Sequence, residues 1–299
     1  MKKLLLFLLF VFPLATFSQE EYSLSLFEEF TGEAANNSAS ISVSPAGDVN
    51  NDGYNDILIG AWGNSDYVGA AYLIYGQETP YSGTISLSEA DAKFTGEATY
   101  NYAGYSVSLA RDVNNDGYDD ILIGAYGNSD AGSFAGAAYL IYGQETPYSG
   151  TISLSEADAE FTGEAVSDRA GNSVSFVGDV NGDGYDDFLI GSYMNSDVAM
   201  YAGAAYLIYG QETPYSGTIS LSEADAEFMG EAVFDFAGNS VSSAGDTNND
   251  GYDDFLVGAS YHSFVGAAYL IYGQSTLYSG TISLSEADAE FTGEAVSDR

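Results

Sequence analysis

Cysteine is absent from the 299 residues, which excludes disulfides and thiolate metal sites. A single histidine, His262, leaves little material for imidazole catalysis or a zinc centre. Lysine and arginine together number 6 against 44 aspartates and glutamates, a formal charge of −38. That balance repels nucleic-acid backbones and anionic membrane surfaces, and it favours a bound cation. Prolines number only 5, and no apolar run approaches the roughly 20 residues needed to cross a bilayer. Glycine (35) and tyrosine (25) are abundant instead, in a composition that is 45% hydrophobic. A chain this apolar is no disordered acidic tail, and it is long enough to bury a sizeable core. The glycines suit many short strands joined by tight turns.

Lys2 and Lys3 precede the apolar run Leu4–Leu14, followed by Ala15-Thr16-Phe17-Ser18. This is the charged, hydrophobic, then small-residue order of a secretory signal peptide, predicted to span residues 1–18. It places the protein outside the cell or at its surface, where calcium is plentiful.

Self-comparison shows that the remainder, 19–299, is repetitive. Phe-x-Gly-Glu-Ala recurs at Phe30, Phe94, Phe161, Phe228 and Phe291, at intervals of 64, 67, 67 and 63 residues. Residues 149–169 and 279–299 are identical at all 21 positions. The units run approximately 30–93, 94–160, 161–227 and 228–290, with a partial fifth at 291–299. Within the third unit, Asn172–Phe176 alternates like a strand, Phe188–Ile190 and Ala204–Tyr209 are short apolar runs, and Thr218–Leu221 reads as a fourth strand. No stretch of ten residues keeps a helical period; Leu154–Phe161 allows one helical turn. Apolar runs such as Ile57–Ile59, with no alternation, call for sheets covered on both faces. The fold class is therefore all-β: four-stranded antiparallel blades stacked as a β-propeller, with four full repeats and the start of a fifth. Separate β-sandwich modules are the competitor, but units of this length are short for sandwiches.

One loop recurs four times. Asp48, Asn50, Asp52, Tyr54 and Asp56 occupy its odd positions in the first copy. Asp112, Asn114, Asp116, Tyr118 and Asp120 do so in the second. The third has Asp179, Asn181, Asp183, Tyr185 and Asp187, and the fourth Asp246, Asn248, Asp250, Tyr252 and Asp254. Oxygen side chains at positions 1, 3, 5 and 9, with Gly always at 6, form a hard-oxygen cage suited to Ca²⁺. The carbonyl of the Tyr at position 7 is expected to complete it, giving about four ions, one per full repeat. Mg²⁺ fits less well because it demands tight octahedral geometry and retains its waters. An EF-hand would need Glu at position 12, where this chain has Ile59, Ile123, Ile190 or Val257, so the cage has to close at position 9. The plainer alternative is a polar hairpin turn, and four copies at fixed spacing weigh against it.

With their flanks these loops resemble the FG-GAP repeats of integrin α-subunit β-propellers and their bacterial relatives. The likeness rests on Phe-x-Gly, Gly-x-Ser-Val-Ser, the Asp-rich loop, and the Gly-Ala after it. It implies a propeller whose calcium loops lie between the first two strands of each blade, with the ligands at Asp48, Asn50, Asp52, Asp56 and their equivalents. Departures are Trp62, Tyr126, Tyr193 and Ser260 where the family has Pro, Ser192 for Ala, Ser40 for the Gly of the other units, and Arg111 where they have Gly47, Gly178 and Gly245. Such propellers generally have seven blades, so the sequence reads as a piece of a longer protein.

The expected function is a non-catalytic, calcium-binding module for adhesion or for binding an extracellular protein or glycan, with no nucleic acid and no transmembrane segment. An enzyme acting on polysaccharide or phosphoester is the alternative, and a structural spacer is a third reading. A catalytic carboxylate pair ought to break the repeat. Glu89/Asp91, Glu156/Asp158 and Glu223/Asp225 instead recur in every unit. The outliers are His262, read as a solvated loop residue, and Trp62, read as packing.

Overall fold

The computed structural model describes residues 29–294. The signal-peptide reading (1–18) and the end of the partial fifth unit lie outside these. Four antiparallel sheets follow one another, each an inner, second, third and outer strand. Blade 1 is Ala39–Gly47, Asp56–Ala61, Ala70–Ile74 and Ala92–Thr95. Blade 2 is Ser106–Arg111, Asp120–Ala125, Ala137–Ile141 and Ala159–Thr162. Blade 3 is Ser173–Gly178, Asp187–Ser192, Ala204–Ile208 and Ala226–Met229. Blade 4 is Ala237–Gly245, Asp254–Ala259, Ala267–Ile271 and Ala289–Thr292.

One strand departs from the sequence reading. The Gly-Thr-Ile-Ser segment is not its own blade's fourth strand. Gly217–Ser220, after the third strand of blade 3, pairs in parallel with the outer strand of blade 2, Phe161 opposite Ile219. Gly150–Ser153 and Gly280–Ser283 reach back to blades 1 and 3 in the same way, and Thr84–Ser86 pairs with Glu29–Thr31. The chain then makes a single 3₁₀ turn, Leu221–Glu223, capped by Ser220 Oγ accepting from Ser222 N. It returns to its own blade as the outer strand, which carries the Phe of Phe-x-Gly. Each blade is thus tied to its predecessor by a strand as well as by packing.

The central strands of blades 2 and 3 present alternate residues to opposite neighbours, which is why the sequence shows no alternation there. Leu122, Leu140 and Phe161 of blade 2 meet Phe188, Ile190 and Tyr206 of blade 3 in one buried cluster. Phe161 and Phe188 pack edge-to-face at 5.4 Å, and Phe228 and Phe255 repeat the contact at 5.2 Å between blades 3 and 4. On the inner strands, the serines of Ser-Val-Ser link successive blades: Ser106 Oγ accepts from Val174 N and Ser108 Oγ from Phe176 N. Ser42 and Ser44 do the same for Val107 and Leu109.

Glycine sets the spacing. A Cβ on Gly191 would lie 2.1 Å from the carbonyl oxygen of Gly238 in the next blade, and Gly124 faces Gly171 O in the same way. Ser40 takes the place of these partner glycines only in blade 1, where it is exposed. Gly258, the blade 4 counterpart of Gly191, meets nothing closer than Ser240 of its own blade at 3.4 Å. Gly191→Ala is therefore expected to destabilise the fold by about 1–3 kcal/mol through overpacking. Gly258→Ala is expected to shift it by less than about 0.5 kcal/mol. Paired urea denaturations of the two variants measure the difference.

Candidate metal-binding loops and opposing carboxylate clefts

The Asp-rich loops join the inner and second strands of every blade, and their side chains organise the loop backbone. In the second copy, Asp112 accepts from Asp116 N and Gly117 N, both at 2.8 Å. Asn114 Oδ1 accepts from Asp116 N, and Asp116 Oδ1 accepts from Tyr118 N. The other three copies repeat these bonds: Asp48, Asn50 and Asp52; Asp179, Asn181 and Asp183; Asp246, Asn248 and Asp250. Gly117 at position 6 has φ +94°, a region that favours glycine, with open space around it. Positions 1, 3 and 5 thus converge, with carboxylate lone pairs left over for a further partner. Tyr54, Tyr118, Tyr185 and Tyr252 take part through their backbone amides, which donate to the Asp at position 5.

Position 9 stands apart. Asp56, Asp120, Asp187 and Asp254 are buried. Asp120 accepts from Val113 N at 3.0 Å and from Gly143 N at 2.8 Å, so it ties the loop base to the end of the third strand. The other three make the same two bonds to backbone amides of their own loop and of Gly76, Gly210 and Gly273. Burial is the main cause that pushes the Asp120 carboxyl up to about 9, offset in part by those two amides and reinforced by Asp116 and Asp112. Asp187 rises to about 8 and Asp56 to about 6 for the same reasons. The donor set is all oxygen, dominated by carboxylate, and matches a hard cation such as Ca²⁺.

Neighbouring loops touch. Asp119 Oδ2 of the second loop accepts from Asp48 N of the first at 2.8 Å, and Asp253 does the same for Asp179 N at 3.1 Å. A Cβ on Gly47 or Gly178 would collide with these carboxylates. Arg111 takes that position in blade 2, at φ +55°, with its guanidinium 5.4 Å from the Phe176 ring centre. Burial pushes its neighbour Asp186 up to about 6, and the Arg111 charge opposes that rise.

The acids outside the loops have structural work. Asp91, Asp158, Asp225 and Asp288 accept from Tyr75, Tyr142, Tyr209 and Tyr272 N at the third-strand ends. Glu89, Glu156 and Glu223 lie exposed in the 3₁₀ turns. Trp62 packs among aromatics: it stacks on Tyr67 at 5.6 Å, which stacks on Tyr100 at 5.9 Å. The Arg169 guanidinium lies over the Tyr126, Phe134 and Tyr193 rings. His262 is no free loop residue; its Nδ1 is 3.2 Å from Asp235 and its Nε2 3.6 Å from Glu290.

Sequence reasoning missed two carboxylate clusters at the opposite end of the blades. Oxygens of Glu97, Asp130 and Glu160 lie within 4.8 Å of one another, as do those of Glu164, Asp197 and Glu227. Each trio lines a cleft, of about 420 Å³ and 480 Å³ respectively. Tyr139 OH donates to Glu97 at 2.7 Å, and the buried Asn128 donates to Tyr139 and to Asp130. Burial, then the nearby Glu97 and Asp130, raises the Glu160 carboxyl to about 7. Glu227 is raised to about 7 by burial, then by Glu164 and Asp197. The available signal was the recurrence of Glu in Phe-x-Gly-Glu and of Asp in Asn-Ser-Asp.

The family model described as FG-GAP repeat matches residues 41–74, 103–141, 170–208 and 237–271, one match in each blade. This is an FG-GAP repeat protein. Integrin alpha-8 of Gallus gallus is 33% identical over 176 residues, covering 56% of this chain and 15% of that protein. Integrin alpha-5 of Xenopus laevis is 29% identical over 213 residues, 71% of this chain and 19% of its own length. A phosphatidylinositol-glycan-specific phospholipase D of Dictyostelium discoideum is 26% identical over 258 residues, 81% of this chain and 27% of its own. The chain therefore spans only about a seventh to a quarter of the length of these relatives. Among the described residues no helix is long and apolar enough to cross a membrane.

The raised carboxyls make a pH prediction for the FG-GAP chain in chelator. A carboxyl with its folded pKa above its unfolded value binds more protons when folded, so stability falls as pH rises between the two. With Asp187 near 8 and Glu160 and Glu227 near 7, the metal-free protein is expected to melt at progressively lower temperature from about pH 4 to pH 8. A melting series at fixed ionic strength checks the sign.

Proposed function

We propose that this chain is an exported, calcium-stabilised FG-GAP propeller module that binds an extracellular protein or glycan without catalysis. The supporting observation is the Asp-rich loop, repeated four times with the same self-bonded geometry at positions 1, 3 and 5. Each loop would hold one Ca²⁺ through those side chains, the position 7 carbonyl and the position 9 carboxylate, which has to share its oxygens between backbone amides and the ion. Bound Ca²⁺ would supply charge neutralisation: three carboxylates gathered in one hairpin repel each other until a divalent ion offsets them. The integrin alpha relatives support the ligand-binding part of this reading, and the leader-like residues 1–18 support export. Exposed aromatics at the opposite end of the blades, Tyr67, Tyr100 and Phe234, offer contact surface for a partner.

A second reading is favoured by the phospholipase D relative, whose match extends over most of this chain. Under that reading the module belongs to a phosphoester-cleaving protein, its repeats serving to bind or position substrate. An array of matrix proteins and glycans, probed with the chain in calcium and in chelator, tests the first reading. It predicts at least one ligand whose binding falls at least tenfold in chelator. Absence of any such ligand, or cleavage of a glycosyl-phosphatidylinositol substrate by the calcium-loaded chain, contradicts it.

A further inference from the structure

We propose, resting on the extracellular binding reading above, that the cleft beside Trp62 in blade 1 takes a neutral sugar ring of a glycan. The four repeats carry their own comparison. The turn before each inner strand has Ser38, Tyr102, Arg169 or Phe236 at one position, and the turn after each second strand begins with Trp62, Tyr126, Tyr193 or Ser260. In blade 2 the first residue covers the second: Tyr102 stacks on Tyr126 with ring centres 4.8 Å apart and planes 6° apart. In blade 3 the Arg169 guanidinium lies 5.9 Å from the Tyr193 ring centre. In blade 4 Phe236 meets Tyr261, the residue after Ser260, edge-on at 5.6 Å. Only in blade 1 is the covering residue a small one, the exposed Ser38, and there a cleft of about 510 Å³ opens beside Trp62, Tyr67, Asn37 and Asp66. Tyr67 adds a second ring, 5.6 Å from Trp62 and 22° from its plane.

The wall gives a second, independent indication. Asn37 is only 5% exposed, and its Nδ2 is enclosed without a hydrogen-bond partner; the same holds for Trp62 Nε1. A buried donor left unpaired is costly until an acceptor reaches it. A cation in the cleft would satisfy neither. A pyranose meets the whole set: its C–H face lies on an aromatic ring, its hydroxyl oxygens accept from the amide and the indole, and its hydroxyl hydrogens suit the exposed Asp66. The other carboxylate on the wall, Glu33, is already engaged by Lys93 and Asn64. With 44 acidic residues against 6 basic ones, the chain repels sulfated and uronic sugars, which leaves neutral ones.

Trp62 is the one tryptophan of the chain, so its fluorescence reports on this cleft directly. The whole chain, in calcium, is titrated with cellohexaose, maltohexaose and mannohexaose, and with hexa-arginine as a basic-peptide arm. At least one neutral hexaose is expected to give a saturable change in emission, and hexa-arginine none. Ser38→Tyr copies blade 2 into blade 1 at a φ of +50°, close to the +55° that Tyr102 adopts. It is expected to keep the parent's melting temperature and to weaken binding of that hexaose at least tenfold. Asn37→Asp installs the residue that blades 3 and 4 carry as Asp168 and Asp235, and it removes the amide donor. The same tenfold loss is expected from it, which settles the matter if Ser38→Tyr does not fold. No response to any of the three hexaoses, a response to hexa-arginine alone, or parent-like affinity in the folded variants overturns the proposal. In that event an array ligand that is lost in chelator keeps the binding reading standing without this cleft.

Discussion

Backbone meeting backbone between successive sheets is the constraint on which the rest of this molecule depends. At Gly60, Gly124 and Gly191 there is no room for a single additional carbon. Sheets drawn this close bury aromatic pairs on both faces, let inner-strand serines cap the amides of the next blade, and allow the outer edge of one blade to accept a strand from the next. The repeat is therefore a unit that cannot cover its own faces, and the neighbouring copy completes it.

The same closeness concentrates charge. Adjacent Asp-rich loops come near enough for Asp119 to accept from the Asp48 amide, and the far ends of the middle blades bring three carboxylates into one cleft. With 6 basic residues against 44 acidic ones, the chain has few counter-ions of its own. Two of them meet acids: Lys93 bonds to Glu33 at the end of blade 1, and the Arg111 charge acts on Asp186. The Asp-rich loops offer the hard carboxylate oxygens that a divalent cation would take.

The period, the strands, the loops and the family likeness were legible because each is local and copied. What stayed hidden is non-local. Thr218-Ile-Ser reads as a strand, but its partner is chosen by parallel register with Phe161 of the previous blade, a pairing no local pattern specifies. Asp120 reads as a fourth loop oxygen, yet it is turned to the amides of Val113 and Gly143, 23 residues on, because burial at the loop base demands paired oxygens. His262 looked like solvated loop and lies against two carboxylates, Asp235 in the turn before the inner strand and Glu290 on the outer strand. The Glu97 trio draws on three segments some thirty residues apart, and it is visible only once blades are stacked.

Melting of the whole chain at pH 7.5 as calcium is titrated in after chelator treatment tests most directly the claim that metal offsets this concentrated charge. A site that binds only the folded state contributes about 2.7 kcal/mol at a hundredfold excess over its Kd. The account predicts a midpoint that climbs with the logarithm of calcium concentration. A midpoint identical in chelator and in millimolar calcium would contradict it.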